Sequence, residues 1–532
     1  MGIKKRQKGR FLEVTSSLCP KCLKLVGAEI FERDGKVFIS KKCSKHGYFE
    51  ELYFGSYEMY KRFEKWAYDG NGVSNPNVLK TNPVCPQDCG ICKKHKSHTA
   101  LGNIVVTNRC DLQCFYCFFY AKAMGYVYEP TLEQIRSMLR NMRHEKPVPC
   151  NAVQLTGGEP LLREDLMEIL NIAKEEGYDH VQLNTNGIRF AHDHKLAYRI
   201  SDAGVHTLYL SFDGTTPKTN PKNHFEIPRI LDSCRRAKIG AVLVPTVINT
   251  VNDHDIGNIL NFGIKNINVV RGINYQPVSL VGRITKADRK KFRITIPDVI
   301  KRMEEQSGIV TENDFYPVPI VSAITNFVSS MTGKPQYHLS PHFVCGAATY
   351  IFVGDNGKPV PLPRFVDVEG LMEYLNEMAD EIKGARIKKF VLLKMLMKLG
   401  SFIDKDKQPK GLNLMRLLMN ILKNKDYRAL GKFHHKSLFI GMMHFQDLYN
   451  YNIERVKRCC IHYAQPDGKI VPFCAFNVVP QWYRDKIQKK FSLSISEWEK
   501  MNKKKLSDDF YKRNVKKLKN EPIYRKIYKG FV

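Results

Sequence analysis

The chain has 532 residues, and its 84 Lys and Arg against 53 Asp and Glu leave a formal charge of +31. That length exceeds one compact core and predicts two to four domains. The charge predicts an anionic partner, whether nucleic acid, phospholipid headgroups or a phosphorylated substrate, unless it is a lysine-rich proteome's habit.

The start, MGIKKRQKGRF, lacks the apolar stretch of a signal peptide, and no apolar run reaches the roughly 18 residues of a spanning helix. The chain therefore reads as soluble or peripheral, with reduced cysteines free to bind metal. Residues 1–80 open with Cys19-x2-Cys22, then Cys43 and His46, a four-ligand knuckle suited to one zinc or one rubredoxin-like iron. Residues 81–98 hold Cys85, Cys89 and Cys92, and the same C-x3-C-x2-C spacing recurs at Cys110, Cys114 and Cys117. Three thiolates leave one iron of a [4Fe–4S] cubane open, whereas such clusters are otherwise held by four cysteines. A zinc knuckle or buried thiols are the plainer alternatives.

Residues 99–300 alternate strands and helices. Near-continuous β-branched runs at 103–107, 152–156, 180–184, 207–211, 240–247 and 268–275 read as buried parallel strands. Thr131 with Gln134 forms a capping-box pattern ahead of a helix whose face carries Leu132, Ile135, Met138, Leu139 and Met142. A second helix carries Leu166, Ile169, Leu170 and Ala173 and stops at Gly177. The six repeats predict an α/β fold with a partial (βα)6 TIM-like barrel. Chemistry in such barrels sits at the strands' C-terminal ends, here Asn184, Thr185, Asn186, Ser211, Asp213, Thr246, Asn249 and Gln276.

Cys345 opens CGAATYIFVGDNGKPVPLP, and Cys459 and Cys460 open CCIHYAQPDGKIVPFC, which ends on Cys474; each reads as a hairpin. One of the adjacent pair is expected to be spare, and Cys234 to be an inert buried thiol. Within 301–445, FVLLKMLMKLGSFI and LNLMRLLMNIL, with Met395, Met397, Met415 and Met419, read as helices of a core or of an apolar substrate lining. Residues 446–532 end in a lysine-rich tail with interleaved tyrosines, either a solvated face or a contact for phosphates, RNA or anionic lipid.

Tyr116 before Cys117, and TGGEP beginning 39 residues after Cys117, complete a pattern that resembles the radical S-adenosylmethionine (SAM) superfamily. The resemblance implies a [4Fe–4S] cluster on Cys110, Cys114 and Cys117 whose open iron chelates SAM. Tyr116 would pack near the adenine, Gly157, Gly158 and Glu159 would hold the amino group, and Asn186 and Ser211 are candidates for ribose and carboxylate. The glycines suit close backbone approach and Glu159 suits an ammonium. Cys85, Cys89 and Cys92 then read as an auxiliary [4Fe–4S] site at the barrel's lower edge. Cys150 is the preferred fourth ligand, with His95 and His98 as alternatives. Cys345, Cys459, Cys460 and Cys474 resemble the C-terminal auxiliary-cluster domains attached to such barrels, for one or two auxiliary clusters in all.

The whole arrangement resembles the archaeal tetraether lipid synthases, a group also described as dihydropterin methylases. That resemblance implies joining of the terminal methyl carbons of phytanyl chains of a diether phospholipid by successive 5′-deoxyadenosyl radicals. It also implies a reductant such as ferredoxin, an anionic membrane surface and a cytoplasmic, peripheral location. The rival reading is methylation of 7,8-dihydro-6-hydroxymethylpterin. A zinc-bearing nucleic-acid-binding protein is the reading from another class, but no nucleic-acid module is present and none is expected as partner.

Overall fold

The structure, a computed structural model, describes residues 9–531 except 118, 120–123, 282–283, 286, 385–387 and 416–436. Four antiparallel strands, Arg10–Leu18, Leu25–Arg33, Lys36–Cys43 and Gly47–Phe54, form a separate N-terminal sheet in sequential order. Asp34 and Gly35 take positive φ at the central hairpin, as a tight turn requires.

The six predicted barrel strands are all present: Leu101–Thr107, Ala152–Gly157, His180–Thr185, Val205–Ser211, Gly240–Val244 and Val270–Pro277. They pair in parallel in chain order. The predicted capping box closes on Thr131 and Gln134, and helix Leu132–Arg143 buries Ile135, Met138, Leu139 and Met142 against the sheet. Gly177 takes φ +81 just past helix Leu166–Glu175, so the strand that follows turns back onto the sheet.

The sheet does not end with the sixth strand. Ser437–Met443 adds in parallel beside Val270–Pro277, and Ile461–Ala464 adds in parallel beside Leu101–Thr107, making eight parallel strands. Both predicted hairpins form on these edges: Gly346–Val353 with Pro359–Pro361, and Ile461–Ala464 with Ile470–Pro472. Two strands of the C-terminal segment thus join the barrel sheet. A contiguous apolar core runs from Ile104 through Leu155, Leu183, Leu208, Leu243 and Ile273 to Ile440.

Two segments that the sequence left open take definite places. Helices Val368–Gly384 and Lys388–Leu399 pack with Ser322–Thr332 into a core of their own, where Val391 and Met395 are buried and Met397 is exposed to solvent. Met415 lies at the edge of that core, and Met419, with the rest of 416–422, lies outside the described residues. The basic tail has two faces: Lys512, Lys516, Lys517 and Lys519 are exposed, whereas Tyr524 and Tyr528 are buried, and Tyr528 stacks on His224 at 4.2 Å. Arg513 pairs with Glu226 at 2.6 Å and Arg229 with Glu521, which straps the tail to helix Ile227–Arg236.

Candidate active site and metal centres

The loop leaving the first barrel strand carries Cys110, Cys114 and Cys117, and the loop leaving the second carries Gly157, Gly158 and Glu159. Gly158 N donates to Thr107 O at 2.8 Å and Glu159 N to Arg109 O at 2.8 Å, so the two exits lie side by side. A Cβ on Gly157 would sit 2.1 Å from Thr107 O, at φ +130, and one on Gly158 would sit 2.0 Å from Arg109 O. Both glycines are therefore required by the approach of the cysteine loop.

Cys110, Cys114, Tyr116, Cys117, Gly157, Gly158, Glu159, Asn186 and Ser211 all line one cavity of about 220 Å³ at the strands' C-terminal ends. Asn184, Thr185, Thr246 and Gln276 line it too. Asp213 stands behind it, accepting from Tyr116 Oη and from Thr246 N at 3.0 Å. Asn249 faces away, bonded to Arg302 and to Lys291 O.

Glu159 accepts from Thr185 Oγ1 at 2.7 Å, Asn186 N at 2.8 Å and Leu161 N at 3.0 Å. Burial, and then the charge of Asp111, nevertheless push its pKa up to about 8. A buried carboxyl held this way gains from an ammonium partner. Asn186 is itself tied down, donating to Asp111 Oδ1 at 2.6 Å and accepting from Ile188 N at 2.9 Å.

The cysteines fit a cationic cluster. Cys110 is pushed well above the ordinary thiol range by burial and by Asp111 and Cys117, so three thiolates here need a metal charge. Backbone N–H groups already point at two sulfurs: Leu112 N at 3.4 Å from Cys110 Sγ and Phe119 N at 3.3 Å from Cys117 Sγ.

Sequence reading missed several cavity residues. Lys222, in the loop after the fourth strand, pairs with Asp213 at 2.9 Å and lies 5.4 Å from the Tyr116 ring centroid. Burial works against its charge, but Asp213 and then Cys114 and Cys117 more than offset it and raise its pKa. Gln154 Nε2 donates to Asn103 Oδ1 at 2.9 Å and Gln182 Nε2 to Gln154 Oε1 at 2.7 Å, a row of amides across three strands. The signal was a polar residue inside each apolar run. The opposite wall is apolar and comes from both sheet edges, with Met443, Phe445, Ile461, Tyr463 and Phe473. Arg109 braces the cysteine loop from behind through Glu129 at 2.8 Å, Asp509 at 2.8 Å and Leu162 O at 3.0 Å.

Of the other metal groups, the N-terminal one is preformed. The ligand atoms of Cys19, Cys22, Cys43 and His46 lie within 4.8 Å of one another, with Cys22 and Cys43 sulfurs 3.8 Å apart. A tetrahedron with 2.3 Å metal–sulfur bonds has edges of about that length. Burial raises the Cys43 thiol pKa, but backbone N–H groups, the His46 ring and Cys19 bring it down to about 6.

The thiols of Cys85 and Cys89 share a hydrogen bond, and with Cys92 they line a recess closed by His95, Val456 and Lys457. Cys150 is absent from that recess. Its buried thiol donates to Ala152 O at 3.2 Å and lies beside Gly102, because a side chain just ahead of the second strand turns into the barrel core. His98 bonds to His338 N at 2.8 Å, so His95 is the candidate placed at the recess. Burial raises the thiols of Cys459, Cys460 and Cys474, and smaller charge effects tie Cys459 to Cys474, Cys460 and Cys345, and Cys460 and Cys474 each to Cys345. Cys234 is fully buried in helix Ile227–Arg236, its thiol pushed up to about 12 by burial.

Comparison with known proteins agrees with this geometry. The radical SAM superfamily matches residues 104–263, and the HMPTM N-terminal zinc ribbon domain matches residues 11–55. The 7,8-dihydro-6-hydroxymethylpterin dimethyltransferase of Methanocaldococcus jannaschii is 44% identical over 507 residues, 93% of this chain and 98% of that protein. A probable GTP 3′,8-cyclase of the same organism is 26% identical over 218 residues, 40% of this chain and 68% of that protein. Among solved structures, methylornithine synthase shares 20% identity with a TM-score of 0.29, covering 40% of this chain and 64% of that one. The relative that spans the chain carries the name of a pterin dimethyltransferase, not of the tetraether lipid synthase that the cysteine arrangement brought forward. The chain belongs to the radical SAM superfamily, in the family of the Methanocaldococcus jannaschii 7,8-dihydro-6-hydroxymethylpterin dimethyltransferase.

Proposed function

We propose that the protein is a radical SAM methyltransferase that acts on a 7,8-dihydropterin bearing a 6-hydroxymethyl group. The observation that carries the reading is similarity over 93% of the chain to a dimethyltransferase of that name, which takes in the edge strands walling the cavity as well as the barrel. The cavity's chemistry supports it. Asn103, Gln154, Asn184, Asn274, Gln276 and Ser279 offer the paired donors and acceptors that a fused nitrogen heterocycle needs.

Cys110, Cys114 and Cys117 would hold the [4Fe–4S] cluster, which, once reduced by an external one-electron donor, would supply the electron that cleaves bound SAM to methionine and a 5′-deoxyadenosyl radical; because that cleavage leaves the methyl group on methionine, the transferred one-carbon unit would come from a second donor molecule. Glu159, with Thr185 and Asn186 N fixing its oxygens, would take the SAM ammonium. Lys222, poised on Asp213, would face the carboxylate end. Tyr116, its hydroxyl anchored on Asp213, would present its ring to the adenine. The apolar wall at Phe445, Tyr463 and Phe473 would keep water from the radical.

That same wall favours a second reading, in which the end of an isoprenoid chain of a diether phospholipid lies against Met443, Phe445 and Ile461 and two chain ends are joined. Among the described residues, helix Lys388–Leu399, which the sequence offered as lipid lining, contributes none to the cavity. The test is mass spectrometry of anaerobic reactions of reconstituted enzyme with SAM and dithionite, given the dihydropterin or the lipid. A methylated pterin supports the first reading. An unchanged pterin beside a lipid lighter by two hydrogens per new bond replaces it with the second.

A further inference from the structure

Arg455 is a buried charge that the site described above does not use. It is 2% exposed and forms no ion pair with a carboxylate among the described residues. Its Nε donates to Cys345 Sγ at 3.2 Å, its Nη2 donates to His444 O, and its Nη1 is buried without a partner. On its other side it lies 5.7 Å from the ring centroid of Tyr53, on the last strand of the N-terminal sheet. An uncompensated guanidinium in such a place is costly unless an anion stands beside it. The groups next to it are thiols: Cys345 and Cys474 are the sulfurs whose charges favour its protonated form.

The surroundings repeat this bias toward donors. Gln446 Nε2, Tyr451 Oη and both ring nitrogens of His444 are buried without partners. Gln446 N donates to Cys474 Sγ at 3.5 Å, and Tyr451 feels the charges of Cys89, Cys85 and Cys474. A cluster's bridging sulfides and thiolates are acceptors that such donors would meet. The recess at Cys85, Cys89 and Cys92 is different: the acids Asp88 and Glu454 stand there with Lys94 and Lys457, so its charges balance.

We infer that Arg455 is the cation that sets the redox potential of an iron–sulfur cluster held by Cys345, Cys459 and Cys474, making this site more readily reduced than the one at Cys85, Cys89 and Cys92. Net positive charge and N–H···S bonds favour the reduced, more negative cluster. Arg455 is thus a positioning residue that acts through Cys345. The inference rests on the proposed radical SAM reading for the presence of clusters, but its readout needs no substrate.

The experiment is a potentiometric titration of the anaerobic holoenzyme followed by EPR, for wild type, Arg455→Met and Arg455→Lys. With iron and sulfide per chain unchanged, Arg455→Met should move the reduction equilibrium of one auxiliary signal at least tenfold against reduction, about 59 mV for a one-electron couple. The SAM-responsive signal should stay put, and Arg455→Lys should recover most of the shift. Wild-type potentials for every signal in Arg455→Met overturn the inference. Should that variant not assemble its clusters, wild-type enzyme labelled with guanidino-¹⁵N arginine decides by pulsed EPR: a ¹⁵N coupling to an auxiliary cluster supports the assignment, and its absence overturns it. Failure of pterin methylation would leave the potentials as they are, whereas absence of any iron–sulfur signal would remove the radical SAM reading itself.

Discussion

Gly158→Ala tests whether the cysteine loop is held in place by contact with the second strand's exit. The new Cβ would meet Arg109 O at 2.0 Å, Arg109 C at 2.6 Å and Asn108 C at 2.9 Å, all of them backbone. Ordinary contact begins at 3.4 Å, so the two segments must part by about 1.4 Å. No side chain can rotate away to absorb this, and Cys110 is the next residue along. Overpacking of this kind costs about 1–3 kcal/mol, and a misplacement of about 1 Å at a reacting centre lowers rates by around 100-fold. Expected are a lower melting temperature, a weakened change in the cluster's EPR signal on adding SAM, and roughly 100-fold slower 5′-deoxyadenosine formation. Gly27→Ala, with nothing within 4 Å of the new carbon, is the control and should behave as wild type. A Gly158→Ala enzyme with wild-type stability and cleavage rate would refute the argument that backbone contact fixes the loop.

Arg109→Met removes a cation whose side chain is 4% exposed and leaves Asp509, also 4% exposed, with Lys504 at 3.4 Å as its remaining cation. Leaving a buried charge wholly unpaired costs about 3–5 kcal/mol and Lys504 offsets part of that here, and limited proteolysis should then cut the 498–531 tail, which stays intact in wild type. Glu159 is held protonated up to about 8 against an ordinary 4.5, so between those values the native state holds the extra proton and this group's contribution to stability falls as pH rises. A ligand ammonium wants the carboxylate, so SAM affinity, read by equilibrium dialysis, should rise close to tenfold per pH unit below about 8 and then level off; Glu159→Gln should flatten that profile. Cys22→Ala should cost one metal per chain by elemental analysis and open residues 10–54 to protease, while the SAM-responsive EPR signal survives.

The six barrel strands were legible because each is a short apolar run bounded by turn residues, and the caps at Thr131 and Gly177 fixed the helices between them. The cysteine loop, the glycine pair and Glu159 were legible because each carries a chemical demand in its own residue type. Pairing between distant segments was not. SLFIGMM reads as one more apolar stretch near the helices, and nothing in it says that Ile440 will register with Ile273 in the barrel sheet. The tail was half legible for the same reason: its lysines are exposed as on a wet helix, but Tyr524 and Tyr528 are buried by His224, Phe225 and Phe262, some three hundred residues earlier. Cys150 misled because position in sequence placed it at the barrel's lower edge, whereas the pleat of the chain entering the strand decides which way a thiol points.

The division of the cavity explains why motif reading reached the chemistry before the substrate. The residues proposed to address SAM lie between Cys110 and Lys222, on loops leaving four consecutive parallel strands, so local sequence specifies them. The facing wall is built by Val278 and Ser279 after the sixth strand and by Met443, Phe445, Ile461 and Phe473 on the two edge strands and their exits. The helical core of residues 322–399 separates both edge strands from the sixth strand in sequence, and Phe445 and Phe473, stacked at 3.8 Å, join one edge to the other. On the proposed reading the amides that would meet a heterocycle, Asn103, Gln154, Asn184, Asn274 and Gln276, come from the barrel strands themselves, and the distant stretches add the apolar wall of Met443, Phe445, Ile461 and Phe473 that faces them.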